Sequence, residues 1–438
     1  MSTSDTQHDP KRTLSSGFTL AVIVGGTIGL GILRTPGEVA AVVPDPVMFV
    51  SLWVLSGLFI LLSAVVAAEL VGMTPRSGGT YALVRRAYGP FPGFVIGWVD
   101  WLTFVADIAF KAVVVTEFAA LLIPAAGQWR TPLAIVVSSV FAALQLRGVA
   151  LGAKIQEIAA AAIALIIVGF TLALVFAESA VSGSANAVPH AVTGMGAWSL
   201  VVASAIYTYD GWTYAAYFSG EIKGGGGAVA RACIKGTVIV MLLYVFLVTA
   251  LAWKVPLTSL ADSELALADA LEMVVSPLAS TVVLVTAIII LLAHQNLLYM
   301  STPRILQALA VDGLAVRRAG EISKGGNPIY AVLLSWGLSI GLIMIGGFEF
   351  LLYLTVFFYL FIYVVVVVGV IILRSRQPDT DRPYRAWGHP WSTYSCLVGW
   401  LLISLFQAVA EIHTAAYAAI MVAISWPVYR ALVRSGSK

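Results

Sequence analysis

Charged residues are scarce in this sequence: Asp, Glu, Lys and Arg make up 11% of its 438 residues, while hydrophobic types make up 60%. Soluble domains carry about 25% charged residues, so a water-soluble fold is excluded. Cysteine is nearly absent, with only Cys233 and Cys396. Two thiols cannot build a disulfide framework or a zinc site, and both stand in or beside apolar segments, where they read as packing residues. Neither sign of charge dominates, and a net +3 is too small and too dispersed for a nucleic-acid surface. The apolar runs lack the period-two alternation of an outer-membrane barrel. No His-Glu-x-x-His or Gly-x-Ser-x-Gly motif supports an intramembrane enzyme, and no metal or cofactor is expected. The polar start runs into an apolar segment without a small-residue cleavage site behind a short core, which speaks against a removable signal peptide.

What is present is apolar length. A helix needs about 20 apolar residues to cross the hydrocarbon of a bilayer, and twelve segments qualify: 18–43, 47–72, 94–123, 132–146, 158–177, 198–218, 236–253, 276–300, 329–345, 350–373, 391–407 and 414–429. The expected fold is therefore an all-α polytopic membrane protein with twelve transmembrane helices, its partner being the lipid bilayer. Basic residues orient it. All but four of the 25 fall in tails and loops on the side of the two termini. Arg130 and Lys254 lie on the other side, and Arg34 and Lys111 lie within spans 1 and 3. Excess Lys and Arg mark cytoplasmic loops, so both termini are expected in the cytoplasm and the chain in a plasma or inner membrane. The outer segment 260–275, with Asp262, Glu264, Asp269 and Glu272, has helical periodicity and is expected as a short helix over the extracellular mouth.

Two spans are interrupted. Span 1 carries Gly25, Gly26, Gly29 and Gly31 within seven residues, and span 6 carries Asp210 and Gly211 in the run Tyr207-Thr208-Tyr209-Asp210-Gly211-Trp212. Glycines also serve close helix packing, but interruptions at matching places five spans apart are the mark of a central transport site between inverted repeats. The expected division is a tail 1–17, a first repeat 18–177, a second repeat 198–373, peripheral spans in 391–429 and a tail 430–438. Half-helix N-termini offer N–H groups and positive dipole to a carboxylate, and unwound carbonyls suit an ammonium. A zwitterionic amino acid supplies both.

At this point the chain resembles the amino acid, polyamine and organocation superfamily, nearest to its bacterial amino acid permeases and L-type exchangers. Gly25 to Leu33 resembles G-x-x-I-G-S-G-I-F. Glu69, then Pro75-Arg76-Ser77-Gly78-Gly79-Thr80-Tyr81 and Gly97-Trp98, resemble E-L, P-x-S-G-G-x-Y and G-W. Tyr209-Asp210-Gly211-Trp212 with Gly220-Glu221 matches Y-D-G-W and G-E. Arg304 with Asp312-Gly313, and Pro378-Asp379 with Arg382-Pro383-Tyr384, complete the series.

The resemblance implies an amino acid transporter with five-plus-five inverted repeats. By position, the backbone N–H groups of Leu30 and Gly31, in the cradle Gly29-Leu30-Gly31, would meet the substrate carboxylate. The carbonyls of Thr27, Tyr207, Thr208 and Asp210, beside Gly211, would meet its ammonium, and Tyr207 takes the place of the gating aromatic. Trp212 is a further gating candidate. Three departures stand out. Leu30 replaces the serine of G-S-G. Gly224 to Gly227 replace prolines after span 6, so a looser turn is expected there. Ile163 occupies the place of the span 5 lysine that tethers spans 1 and 8 in many relatives.

Ionisable residues within spans are functional candidates by default. Asp107 and Lys111 stand one helical turn apart in span 3 and can pair. Either the pair is structural, or Lys111 serves gating or coupling in place of the missing lysine. Asp210 is expected to serve the geometry of the break by accepting from nearby N–H groups. Glu69, His294, Gln295 and Asn296 are expected to bond between helices. With no ring of carboxylates evident, a neutral amino acid is the expected substrate. Proton symport and amino acid exchange both stay open, with protons as a possible second partner. The rival reading is a membrane sensor that binds an amino acid without transporting it, which a soluble signalling domain would favour.

Overall fold

The computed structural model describes residues 12–180, 194–261, 263–346, 348–410 and 412–436. The first part of the N-terminal tail, Asp262 of the outer segment and residues 437–438 lie outside them. The described residues are helical apart from turns and one isolated bridge, Leu14 to Ile222.

The chain enters through Ser15, whose Oγ accepts from the Phe18 N–H at 2.8 Å and caps α1 (Ser16–Thr27). A break follows, then α2 (Gly31–Val42). Asp45 caps α3 (Pro46–Met73) through the Met48 N–H, with proline at the first turn, where a missing N–H is harmless. A short amphipathic helix, α4 (Gly79–Tyr88), leads into the 33-residue α5 (Pro90–Leu122). At 1.5 Å per residue α5 is about 50 Å long, well over the hydrocarbon thickness of about 30 Å. Then come α6 (Arg130–Leu146) and α7 (Val149–Phe176). The second half repeats the pattern of a broken span: α8 (Met195–Thr208), an irregular stretch, and a short 3-10 helix, Tyr214–Phe218. It continues through α9 (Gly225–Lys254), α10 (Ala266–Val274), α11 (Pro277–Val311), α12 (Ile329–Ile345) and α13 (Phe348–Arg376). Two last helices, α14 (Trp391–Ala410) and α15 (Ile412–Gly436), close the chain.

Among the described residues nine helices are long and apolar enough to cross a membrane, counting α1 with α2 as one. The protein is therefore an all-helical, multi-pass membrane protein. Its core is a bundle in which α1 lies against α7 and α9, α3 runs along α9, and α5 lies along α11. α1 is the most enclosed of these, α7 buries one face and shows the other, and α15 shows most of its surface. The outer segment does form a helix, α10, which packs over α2 and α11.

Three expectations change. α7 begins at Val149 rather than at 158, because Gly152, Ala153 and Gln156 are buried against the bundle, where Asn296 donates to the Gly152 carbonyl and to Gln156 Oε1. α11 extends eleven residues past 300, so Arg304 is not a loop residue but is buried inside a helix. The glycines after span 6 do not make a loose turn: Gly225 to Gly227 form the first turn of α9, with Gly226 pressed against the Gly72 carbonyl of α3. Close approach, not slack, is what the missing side chains allow. The two cysteines are buried as expected, Cys396 against Ser63 at 3.3 Å.

Candidate functional site

The break in the first span covers Ile28 to Leu30. Leu33 and Arg34 are the first residues of α2 whose N–H groups reach an acceptor, the Leu30 carbonyl, at 3.0 and 3.2 Å. Among the described residues the N–H groups of Gly29, Leu30, Gly31 and Ile32 donate to no backbone carbonyl. A helix start with such N–H groups, at the positive end of the helix dipole, has the chemistry to receive an anion. On the other side of the break, the C-terminal carbonyls of α1 are held by two side chains. Tyr244 of α9 donates to the Thr27 carbonyl at 3.0 Å, and His294 of α11 bonds the Gly26 carbonyl through Nε2 at 3.1 Å. Since a carbonyl only accepts, Nε2 carries the proton in this bond.

The break in the sixth span abuts the first. α8 ends at Thr208, after which the N–H groups of Tyr209 and Asp210 turn back to the carbonyls of Ile206 and Tyr207. Gly211 then takes φ +131°, a conformation open to glycine and strained for other residues. A β-carbon there would stand 2.7 Å from the carbonyl carbon of Gly26 and the nitrogen of Thr27, so the two unwound backbones touch. A second contact joins α2 to α8, where Gly31 faces the Thr208 side chain. Thr208 in turn bonds the Ser204 carbonyl and Thr35 Oγ1, at 2.8 and 3.1 Å. The donor end of α2 and the acceptor end of α8 are thereby brought side by side.

The sequence-selected side chains fall around this junction. Asp210 accepts from the Tyr363 hydroxyl of α13 and from the Gly211 N–H. The second partner is the local one expected and the first was not foreseen. Trp212 is buried against Tyr363, ring centroids 5.2 Å apart. Tyr207 is 40% exposed and shares a small cavity with Asp210, Ile60, Tyr359, Tyr363 and Trp400. Asp107 and Lys111 pair at 2.5 Å on α5. The carbonyls of Thr27 and Tyr207 already accept one bond each, from Tyr244 and the Asp210 N–H, so each keeps one lone pair for a ligand. Buried polar atoms close to the junction that lack partners among the described residues include Thr27 Oγ1, Trp212 Nε1 and His294 Nδ1.

His294 answers a question raised by Ile163, which is buried and apolar. The first and eighth spans are tied here directly, by the imidazole on the Gly26 carbonyl, instead of through a cation on the fifth. Gln295 and Asn296 bond between helices as expected, to the Ile108 carbonyl at 2.7 Å and to the Gly152 carbonyl at 3.0 Å.

The end of the bundle nearer the termini is closed by polar networks that sequence reading named only as motifs. Arg304 forms a bidentate pair with Glu221, at 2.5 and 2.8 Å, both side chains buried. Asp312 takes Arg76, Arg85 and the Tyr81 hydroxyl at 3.0, 3.1 and 2.6 Å. Burial, with Asp312 adding to it, pushes the Tyr81 phenol up, so it stays protonated and donates. Asp100, which sequence analysis passed over, is fully buried in α5 and bonded to Thr80 and Tyr217. A carboxylate two residues past Gly97-Trp98 within a span was the signal for it. The segment before α1 is clamped to this end through Leu14, whose backbone bonds Glu221 and Lys223.

The sequence model of a family described as amino acid permease matches residues 16–428. The chain is 24% identical over 403 residues to the serine/threonine exchanger SteT of Bacillus subtilis, covering 89% of each chain. It is 26% identical over 379 residues to the mouse b(0,+)-type amino acid transporter 1, covering 84% of this chain and 77% of that one. Similarity also extends to the D-serine/D-alanine/glycine transporter of Escherichia coli, at 20% identity over 430 residues, 92% of this chain and 88% of that one.

Proposed function

Because the chain belongs to the amino acid permease family and is a membrane transporter of amino acids rather than an enzyme, we propose that it carries neutral amino acids by alternating access at the junction of its two broken spans. The observation that carries this reading is the juxtaposition of the N–H groups of Leu30, Gly31 and Ile32, which donate to no backbone carbonyl among the described residues, with the carbonyl end of α8, joined backbone to backbone at Gly211. The substrate carboxylate sits on the N–H groups of Leu30 and Gly31. Its ammonium sits among the carbonyls of Thr208 and Asp210 and the free lone pairs of Thr27 and Tyr207. The orphaned Thr27 Oγ1, Trp212 Nε1 and His294 Nδ1 support a polar ligand there, since buried polar groups in folded proteins are nearly always paired.

In this reading the chain crosses the membrane twelve times. The first repeat, 18–177, and the second, 198–373, are inverted copies around the site, 391–429 adds two outer spans, and both terminal tails, 1–17 and 430–438, are cytoplasmic. The Arg304–Glu221 and Asp312 networks then form the cytoplasmic gate in its closed state, and Tyr207 is the aromatic that covers substrate from outside. The similar proteins named as a serine/threonine exchanger and a D-serine/D-alanine/glycine transporter favour small neutral substrates.

Two variants test the reading in proteoliposomes. Asp210→Asn is expected to lower uptake of all transported neutral amino acids by a similar factor, because Asp210 holds the break to Tyr363 rather than binding a side chain. Strong competition by lysine or arginine in the wild type, lost in the variant, would replace the neutral assignment by a cationic one. Lys111→Met keeps the stem and leaves Asp107 unpaired. As the coupling residue, Lys111 requires uptake to fall and its pH profile to change on substitution. Lower thermal stability with an unaltered profile assigns the pair to structure alone. Uptake with and without amino acid preloaded, and under an imposed pH gradient, separates exchange from symport.

A further inference from the structure

Far from the broken helices, the loop between α13 and α14 builds a cleft of ≈ 260 Å³ lined by Arg374, Pro378, Arg382, Arg385 and His389. Three guanidiniums and an imidazole meet there, and no carboxylate lines it. Glu69 is the nearest counter-ion and serves two of them: it takes Arg374 at 2.9 and 2.5 Å and Arg382 at 3.0 Å, and spends its remaining capacity on the Ala386 N–H. Arg382 is saturated by four backbone carbonyls besides. What is left over is positive. Arg374 keeps Nη1 and is 23% exposed, His389 keeps Nε2 with Nδ1 on Thr393 Oγ1, and Arg385 makes no hydrogen bond or ion pair among the described residues. Asp379 and Asp381 belong to the same loop, are exposed, and do not line the cleft. Burial and the charge of Arg374 push the His389 imidazole down, as a locally positive potential does.

The apolar run of α13 ends at Leu373 and α14 starts at Trp391, so the cleft lies where hydrocarbon gives way to headgroups. Trp387 and Trp391, 68% and 80% exposed, flank it, and tryptophan collects at that depth. Basic pockets between membrane helices hold lipid phosphates through charge-assisted, bidentate bonds from arginine. We propose that this cleft is a binding site for the phosphate of an anionic phospholipid in the leaflet on the side of the termini. Through Glu69 on α3, such a lipid braces the end of α13 against the bundle.

The purified full chain in neutral detergent is titrated with phosphatidylglycerol, phosphatidylcholine, or inorganic phosphate while its thermal unfolding is followed. Phosphatidylglycerol is expected to raise the midpoint, with the other two leaving it in place. Arg385→Gln removes a side chain with no partner among the described residues, and is expected to need roughly five-fold more phosphatidylglycerol for the same rise. An equal rise with phosphatidylcholine, or an unchanged titration in the variant, overturns the site, and a rise with inorganic phosphate alone makes it a site for soluble anions. Native mass spectrometry of the wild type offered equal amounts of the two lipids decides independently of the variant: retention of phosphatidylglycerol in excess supports the site, and equal retention refutes it.

Discussion

Gly31→Val is expected to bring uptake to background while the protein remains folded. Valine places a branched side chain against Thr208, whose Oγ1 would lie 2.8 Å from the new β-carbon. Thr208 Cγ2 and Cβ would lie at 3.0 and 3.2 Å as well, but no backbone atom is among these neighbours and the site is half-buried, so α2 and α8 part slightly and the bundle survives. What is lost is the reach of the Leu30 and Gly31 donors. Two charge-assisted hydrogen bonds at about 1.5–3 kcal/mol each amount to a loss of 100-fold or more in affinity, on the order of 3 kcal/mol at the least. A substrate-dependent thermal shift equal to wild type in the variant would falsify the carboxylate assignment. Gly211→Ala makes the contrast. Its β-carbon meets backbone at 2.7 Å, in a conformation unfavourable to alanine. It is expected to lose stability as well as uptake, because neither partner can step aside.

Arg304→Met should be the most destabilising of the charge changes. The guanidinium and the Glu221 carboxylate are 3% and 5% exposed, and removing one member of a buried pair leaves the other uncompensated at a cost of about 3–5 kcal/mol. The Met300 carbonyl and Asn327 also lose a donor. A drop of several degrees in unfolding temperature is the expected reading. The double variant Arg304→Met with Glu221→Leu should recover much of it, because an apolar pair of similar volume has no charge to desolvate. A single variant as stable as wild type would show that the pair is solvated in the dominant state, and would remove it from the closed gate.

The sequence by itself determined the solvent of this protein and the places where its helices fail. Apolar length at the scale of a bilayer allows helices and little else, since a backbone without water must bond to itself. Four glycines in one span and a carboxylate beside glycine in another break that rule at two points. The span 3 ion pair and the short helix near the outer segment follow from local propensity and spacing, which are properties of neighbouring residues, whereas the start of α7 and the end of α11 do not. Only the tertiary structure decided what each broken end meets. That Gly211 lies against Gly26, that His294 replaces the missing fifth-span cation, that Tyr363 holds Asp210, and that Glu69 serves two arginines more than 300 positions away are contacts between residues remote in the chain. No periodicity encodes them. They are set by which helix faces pack together, and in a bundle apolar all round, the sequence offers no stripe to say which faces those are.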